Sequence, residues 1–280
     1  MKNKSSKLTV CLTHDVDRIR KSYQYLTQTA KSLLKGNFKS GFYHFFSIFK
    51  KNPYWNFKKI ISIERKYKVK STFFFLNESI KLDLFNPSNW KLSLGRYSFD
   101  EQKVKQMIRW LDKNGWEIGL HGSYNSYKSS DLLKKEKLEL ENILGHEVLG
   151  IRQHYLNLNK LTWELQAKAG FRYDASFGFT KKIGFRDKKF RPFHPLKDFP
   201  KFTVFPLAIM DSCLMHKENI KKAYLGVINK AMKNNGLLVL NWHQRVFNER
   251  EFPAYTKVYA QIIQECKKRG AEFKSFSQVL

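Results

Sequence analysis

Apolar positions along the chain fall into two patterns. Short apolar-rich runs at 8–12, 69–76, 116–120, 148–151, 171–173, 202–210 and 237–241 are followed by polar residues, as buried strands are. Between them lie stretches with a three-to-four-residue apolar repeat, at about 55–67, 101–114, 131–144, 161–169, 217–235 and 255–269. These read as amphipathic helices. Gly115, Gly170, Gly236 and Gly270 follow four of them as stops. Residues 273–280 supply a last segment. Strand and helix alternate through most of the chain, which implies parallel strands with crossover helices outside them. No repeat, low-complexity linker or shift of composition divides it. The expectation is one α/β domain over 1–280, a distorted (β/α) barrel of about seven strands.

Polar residues repeatedly follow the last apolar residue of a run. Asp15 and Asp17, His121, Arg152 and His154, Asp174, Asp211 and His243 all sit there. If the first strand stays extended, Asp15 and Asp17 project from the same side, because side chains repeat every two residues. Two carboxylates held close repel each other, so a shared proton, an arginine or a metal ion must compensate. In a parallel barrel the strand ends converge on one face, where such folds place their chemistry. The plainer alternative is a loop whose acids cap the next helix.

Composition narrows the setting. The three cysteines, Cys11, Cys213 and Cys266, are far apart and lack metal-ligand spacing, which suits a reducing compartment. Residues 1–7 are polar and basic, and no apolar segment is long enough for a signal peptide or a membrane span. The expected location is cytoplasmic, peripheral at the membrane if the basic segment below engages one. The net charge is +28, a field that favours anionic partners. Lysines are spread along the whole chain, however, and no nucleic-acid motif is present, so no nucleic-acid partner is expected. Residues 18–70 stand out, with many cations and the single acid Glu64. They also carry Phe38, Phe42, Tyr43, Phe45, Phe46 and Phe49 near helical spacing, read as a basic aromatic helical insertion at about 18–55. An aromatic stripe is more often core than interface, so the first expectation packs these rings on the barrel. The second is a lid laid against an anionic membrane surface beside the mouth.

Five motifs, taken in order, resemble the polysaccharide deacetylases of carbohydrate esterase family four, the NodB-homology fold. They are Thr13-His-Asp-Val-Asp17, His121-Gly-Ser-Tyr-Asn125, Arg152-Gln-His-Tyr155, Tyr173-Asp-Ala-Ser176 and Leu240-Asn-Trp-His243. The resemblance implies a distorted barrel, a divalent metal (zinc by preference) and removal of acetyl groups from N- or O-acetylated sugars or glycan precursors. It makes Asp15 the base, Arg152 its partner and His243 the acid for the leaving group, with Asp17 and His121 holding the metal. The first motif has Asp-Val-Asp in place of adjacent acids, a spacing found in a branch related to peptidoglycan deacetylases and cyclic-amide hydrolases. The second lacks its second histidine, because position 125 is Asn, a poorer zinc ligand than His. His154 is the nearest replacement, so the expected metal set is Asp17, His121 and His154. His14, Asp174, Arg186, Arg191 and Trp242 are expected at the substrate, with orientation of His243 a further role for Asp174. Two alternatives stay open: a cyclic-amide carbon–nitrogen hydrolase on the same fold, and a non-catalytic glycan- or membrane-binding relative, for which Asn125 is the motive.

Overall fold

The structure, a computed structural model, describes residues 8–49, 52–83 and 85–280. The readings placed on 1–7 and on Lys50 and Lys51 lie outside the described residues. The apolar runs form strands β1 (Thr9–Val16), β2 (Thr72–Leu76), β3 (Glu117–Gly122), β4 (Gly150–Gln153), β5 (Tyr173–Asp174), β6 (Thr203–Val204), β7 (Leu207–Met210), β8 (Leu237–Asn241) and β9 (Glu272–Phe273). The helices are α1 (Gln24–Leu34), α2 (Phe38–Phe46), α3 (Phe57–Lys66), α4 (Pro87–Ser93), α5 (Gln102–Lys113), α6 (Ser130–Leu144), α7 (Thr162–Lys168), α8 (Asp211–Leu214), α9 (Ile220–Lys233) and α10 (Tyr255–Lys268). All ladders between named strands are parallel, in the order β6-β5-β4-β3-β2-β1-β8-β7, with β9 added beside the start of β1. The sheet curls into an incomplete barrel with helices around it. The expected run 202–210 is two strands, because Pro206 has no N–H to continue a ladder.

The two-residue period sorts the core into two layers. Val10, Leu12 and Val16 of β1, Phe73 and Phe75 of β2 and Leu238 and Leu240 of β8 face outward. They pack under Ile60 of α3, Ile108 of α5, Leu140 of α6 and Ile262 of α10. Cys11, Phe74, Tyr173, Phe205 and Val239 face inward and meet Phe276, whose ring lies 4.6 to 6.1 Å from those of Phe205, Tyr173 and Phe74. The floor of the barrel is therefore aromatic and closed, and its inward polar groups collect at the other end.

Within the basic aromatic segment, α1 and α2 form a helical hairpin. Asn37 caps α2 by accepting from Ser40 N at 3.0 Å, and Ser32 and Ser40 hydroxyls meet at 3.2 Å across the seam. Below it, Lys21 Nζ donates to Glu251 at 2.8 Å and to His44 Nδ1 at 2.7 Å, which ties the hairpin to the loop after β8. The rings do not pack on the barrel as first expected. The two helices bury only Gly41 and His44 between them, and Phe38, Phe42, Phe45, Phe46 and Phe49 all stay exposed. No helix among the described residues is long and apolar enough to cross a membrane.

Tight spots on the inner face test this packing. A Cβ on Gly150 would fall 1.7 Å from Tyr173 Cζ, inside the ring that helps fill the barrel. Gly150→Ala is expected to destabilise the fold by about 1–3 kcal/mol through overpacking, read as a lower urea midpoint at unchanged slope.

Candidate active site and metal centre

β1 carries Thr13 and Asp15 inward, and Asp17 follows one step beyond its end. At the same level, β3 brings His121, β4 brings Arg152 and then His154, and β8 brings Asn241 and then His243. These groups line or underlie a cleft of about 700 Å³ at the open end of the barrel, with Asp15, Asp17, His121, His154 and His243 in its wall.

Asp15 is held from two sides. Arg152 Nη1 donates to its Oδ1 at 2.9 Å, and Asn241 Nδ2 donates to its Oδ2 at 2.6 Å. Arg152 is itself fixed, donating to Thr13 Oγ1 at 2.6 Å and to the Ala175 carbonyl at 2.9 Å, with its guanidinium 4.5 Å over the Phe74 ring. Burial pushes the Asp15 carboxyl up, but Arg152, with His121 and His243, outweighs it and holds the group ionised below its ordinary value.

Asp17, His121 and His154 offer ligand atoms that all lie within 4.8 Å of one another. His121 Nδ1 donates to the Arg152 carbonyl at 2.7 Å, which leaves Nε2 pointing at Asp17 Oδ1, 3.2 Å away. His154 Nδ1 donates to Glu78 Oε2 at 3.2 Å, and its Nε2 accepts from Arg96 at 3.5 Å. Each imidazole is thus oriented through Nδ1 by an acceptor, as metal-binding histidines are, which leaves Nε2 as the ligand atom; at His154 a cation would take the place of the Arg96 donor. Asp17 Oδ1 is buried and makes no hydrogen bond. A buried carboxylate oxygen facing the Nε2 of a backbone-anchored imidazole fits a shared cation, and the Asp/His/His donor set suits zinc. Burial raises the Asp17 carboxyl, but His121, His243 and Arg245 hold it well below the usual carboxylate range. Asn125 is absent from the cleft wall.

His243 Nδ1 donates to both Asp211 oxygens, at 2.9 and 3.0 Å, and its backbone N–H donates to Asp211 at 2.7 Å. Its Nε2 lies 3.7 Å from Asp17 Oδ2. Burial pulls the imidazolium down, but Asp211 overrides it and carries the group up to about 9.

The expected substrate contacts lie elsewhere, and the strand period explains most of them. His14 is one residue from Asp15 and so points to the other face. There it is fully buried, donating to the Trp242 carbonyl at 2.7 Å and meeting Glu64 at 3.0 Å. Trp242 is likewise on the outer face, fully buried against Tyr255 and Tyr259. Asp174 faces α7, bonded to Ser176, Gln166 and Trp163 and fully buried. It is a structural turn acid, and Asp211 takes the place beside His243 that was expected of it. Arg186 stacks on Phe177 and Arg191 donates to the Asn235 carbonyl, both outside the cleft. Sequence reading missed Arg245, whose Nη1 donates to Asp17 Oδ2 at 2.6 Å, and Asn241 as the second support of Asp15. Both sit within or just past the last motif, which was the available signal. Glu78, at the end of β2, had the same strand-end signal as the others. Arg96 had none.

No family model matches the chain, and no curated protein matches it. Among solved structures, a candidate polysaccharide deacetylase from Mycobacterium smegmatis is similar with a TM-score of 0.60 at 16% identity, over 100% of this chain and 91% of that one. A peptidoglycan N-acetylglucosamine deacetylase, solved with a hydroxamate-type benzamide, has a TM-score of 0.49 at 15% identity, over 98% of this chain and 87% of that one. A pseudoenzyme of carbohydrate esterase family four from Bacillus anthracis has a TM-score of 0.47 at 13% identity, over 98% of this chain and 66% of that one. The first of these establishes that the fold is shared.

The donor geometry separates two candidates for the third ligand. His154→Ala is expected to weaken zinc binding by roughly a hundredfold or more, and Asn125→Ala to leave it nearly unchanged. Competition titration against a chromogenic chelator reads both directly.

Proposed function

We propose that the chain belongs to the polysaccharide deacetylases of carbohydrate esterase family four and hydrolyses an acetyl group from an N- or O-acetylated sugar or glycan precursor. The observation that carries this reading is the convergence of three differently tuned groups on one cleft: an ionised Asp15 paired with Arg152, the Asp17, His121 and His154 donors, and a protonated His243 backed by Asp211. A divalent cation held by Asp17, His121 and His154 would supply Lewis acidity to the attacking water and to the acetyl carbonyl oxygen.

The chain's own groups then divide the proton work. Asp15, kept ionised and oriented by Arg152 and Asn241, accepts the proton of the attacking water. His243 donates a proton to the departing amine or alcohol as the acyl bond breaks, leaving acetate and the deacetylated sugar. Asp211 holds its ring in place and keeps that proton on it at neutral pH. Arg245 and Arg96 both donate to Asp17, at the carboxylate and the backbone carbonyl, and are positioning residues for the metal side of the cleft. Glu78 plays the same part for His154.

The rim of the cleft favours a substrate bearing negative charge. Arg18, Lys91, Arg96 and Arg245 all line it, and Arg18 and Arg96 spend their hydrogen bonds largely on backbone carbonyls. Among the described residues neither has a carboxylate partner. An acidic glycan or a phosphate-linked sugar would neutralise them.

The test is acetate release from acetylated amino sugars and glycan precursors by protein of measured metal content. Asp15→Asn is expected to lower kcat by roughly a hundred- to ten-thousand-fold with bound metal retained. Equal loss of metal and turnover would place Asp15 among the ligands. The pH profile supplies a second measurement. Turnover should fall as pH rises through about 9, where His243 gives up its proton. Because Asp211 is what raises that value, Asp211→Asn should move this alkaline limb to lower pH. An unmoved limb would remove His243 as the acid.

A further inference from the structure

We propose that the α1–α2 hairpin is a docking surface for an anionic lipid bilayer and holds the mouth of the cleft against it. The hairpin carries an apolar surface that none of the described residues covers. Leu26, Leu33, Leu34, Phe38, Phe42, Phe45, Phe46, Ile48 and Phe49 are all exposed, Leu34 to 89% and Phe49 to 81%. No residue of α1 is buried, and α2 buries only Gly41 and His44. Phe42 and Phe46 stack one turn apart with centroids at 6.3 Å, and Phe45 meets Phe46 edge to face at 5.4 Å, so the rings form a continuous patch. An exposed apolar cluster of this kind marks a contact surface.

Charge decides what it contacts. Residues 18–63 contain no aspartate or glutamate. Lys31, Lys35 and Lys39 stand on or between the two helices, and among the described residues none has a carboxylate partner. Lysines interleaved with bulky apolar groups suit a lipid headgroup layer, where the rings enter the acyl boundary and the ammonium groups stay with the phosphates. The core of a protein interface is depleted in lysine. A second copy of the chain would set these same lysines against themselves with no acid to offset them.

Position links the surface to the site. Gln24, Thr27 and Gln28 of α1, with Tyr23 at its start, form part of the cleft wall. One helix therefore lines the cleft and belongs to the exposed surface. Its root is anchored by Lys21 and Tyr54 to Glu251, so the hairpin stays fixed relative to the mouth. A bilayer on the hairpin would lie next to the opening. The surface stands independently of the hydrolase reading, and its test measures no activity.

The experiment is co-sedimentation of the full chain with phosphatidylcholine vesicles and with vesicles that also contain phosphatidylglycerol, at low and high salt. The chain is compared with Phe45→Ser/Phe49→Ser and with Lys31→Glu/Lys35→Glu/Lys39→Glu, both of exposed residues and each checked for an unchanged circular dichroism melt. The expected result is binding to the anionic vesicles that weakens with salt, falls by roughly tenfold or more in the ring variant, and falls by roughly fivefold or more for each lysine reversed. Absence of binding to anionic vesicles would overturn the proposal. So would binding retained by both variants, or a concentration-dependent dimer in sedimentation velocity that the ring variant abolishes.

Discussion

Two carboxylates, Asp15 and Asp17, leave one face of a single strand into a buried place, and the open end of the barrel is arranged to neutralise them. Arg152 crosses from β4 to Asp15, and Arg245 reaches from the loop after β8 to Asp17. His121 and His243 stand within 4 Å of one or both acids. Breaking such a buried arrangement by removing one partner leaves an uncompensated charge, which is far costlier than never having built it. The strands that supply these partners, β3, β4 and β8, all lie within three places of β1 in the sheet. Register and chemistry are therefore one constraint: a slip of one residue in β1 would send both acids outward into the layer of Leu and Ile under the helices.

The opposite face of β1 shows what that layer accepts. His14 is buried there only because Glu64, Tyr259 and the Trp242 carbonyl surround it, with Ser71 and Trp116 completing the shell around Glu64. Both ring nitrogens face acceptors, so the outer polar cluster closes on itself. The inner one does not close, since Asp17 Oδ1 and one Arg152 nitrogen are buried without partners among the described residues.

Much of this was legible from residue spacing. The alternation of strand and helix gave parallel topology, and the period of two put Asp15 and Asp17 on one side. The same period, applied one residue further, puts His14 and Trp242 on the wrong side for substrate, and a motif read as a block hides that. Asp174 sits at a strand end like the others, but β5 is two residues long and its last side chain turns to α7, which spacing alone does not reveal. The aromatic repeat of 38–49 announced helices, yet a repeat cannot say whether a neighbour exists to cover it. Arg96 comes from an irregular stretch after α4, where no period operates, and only the folded chain brings it to Asp17.

The place of β1 in the sheet has a consequence for biogenesis. It lies between β2 and β8, and its register with β8 pairs Thr9 with Leu237 and Thr13 with Asn241. During synthesis β1 is made before β8 and keeps the edge facing β8 unpaired until more than two hundred later residues have been made. Contacts of such sequence separation fold slowly and leave an apolar edge open to strand addition by other chains. A chain stalled before β8 thus leaves that apolar edge open to addition of a foreign strand.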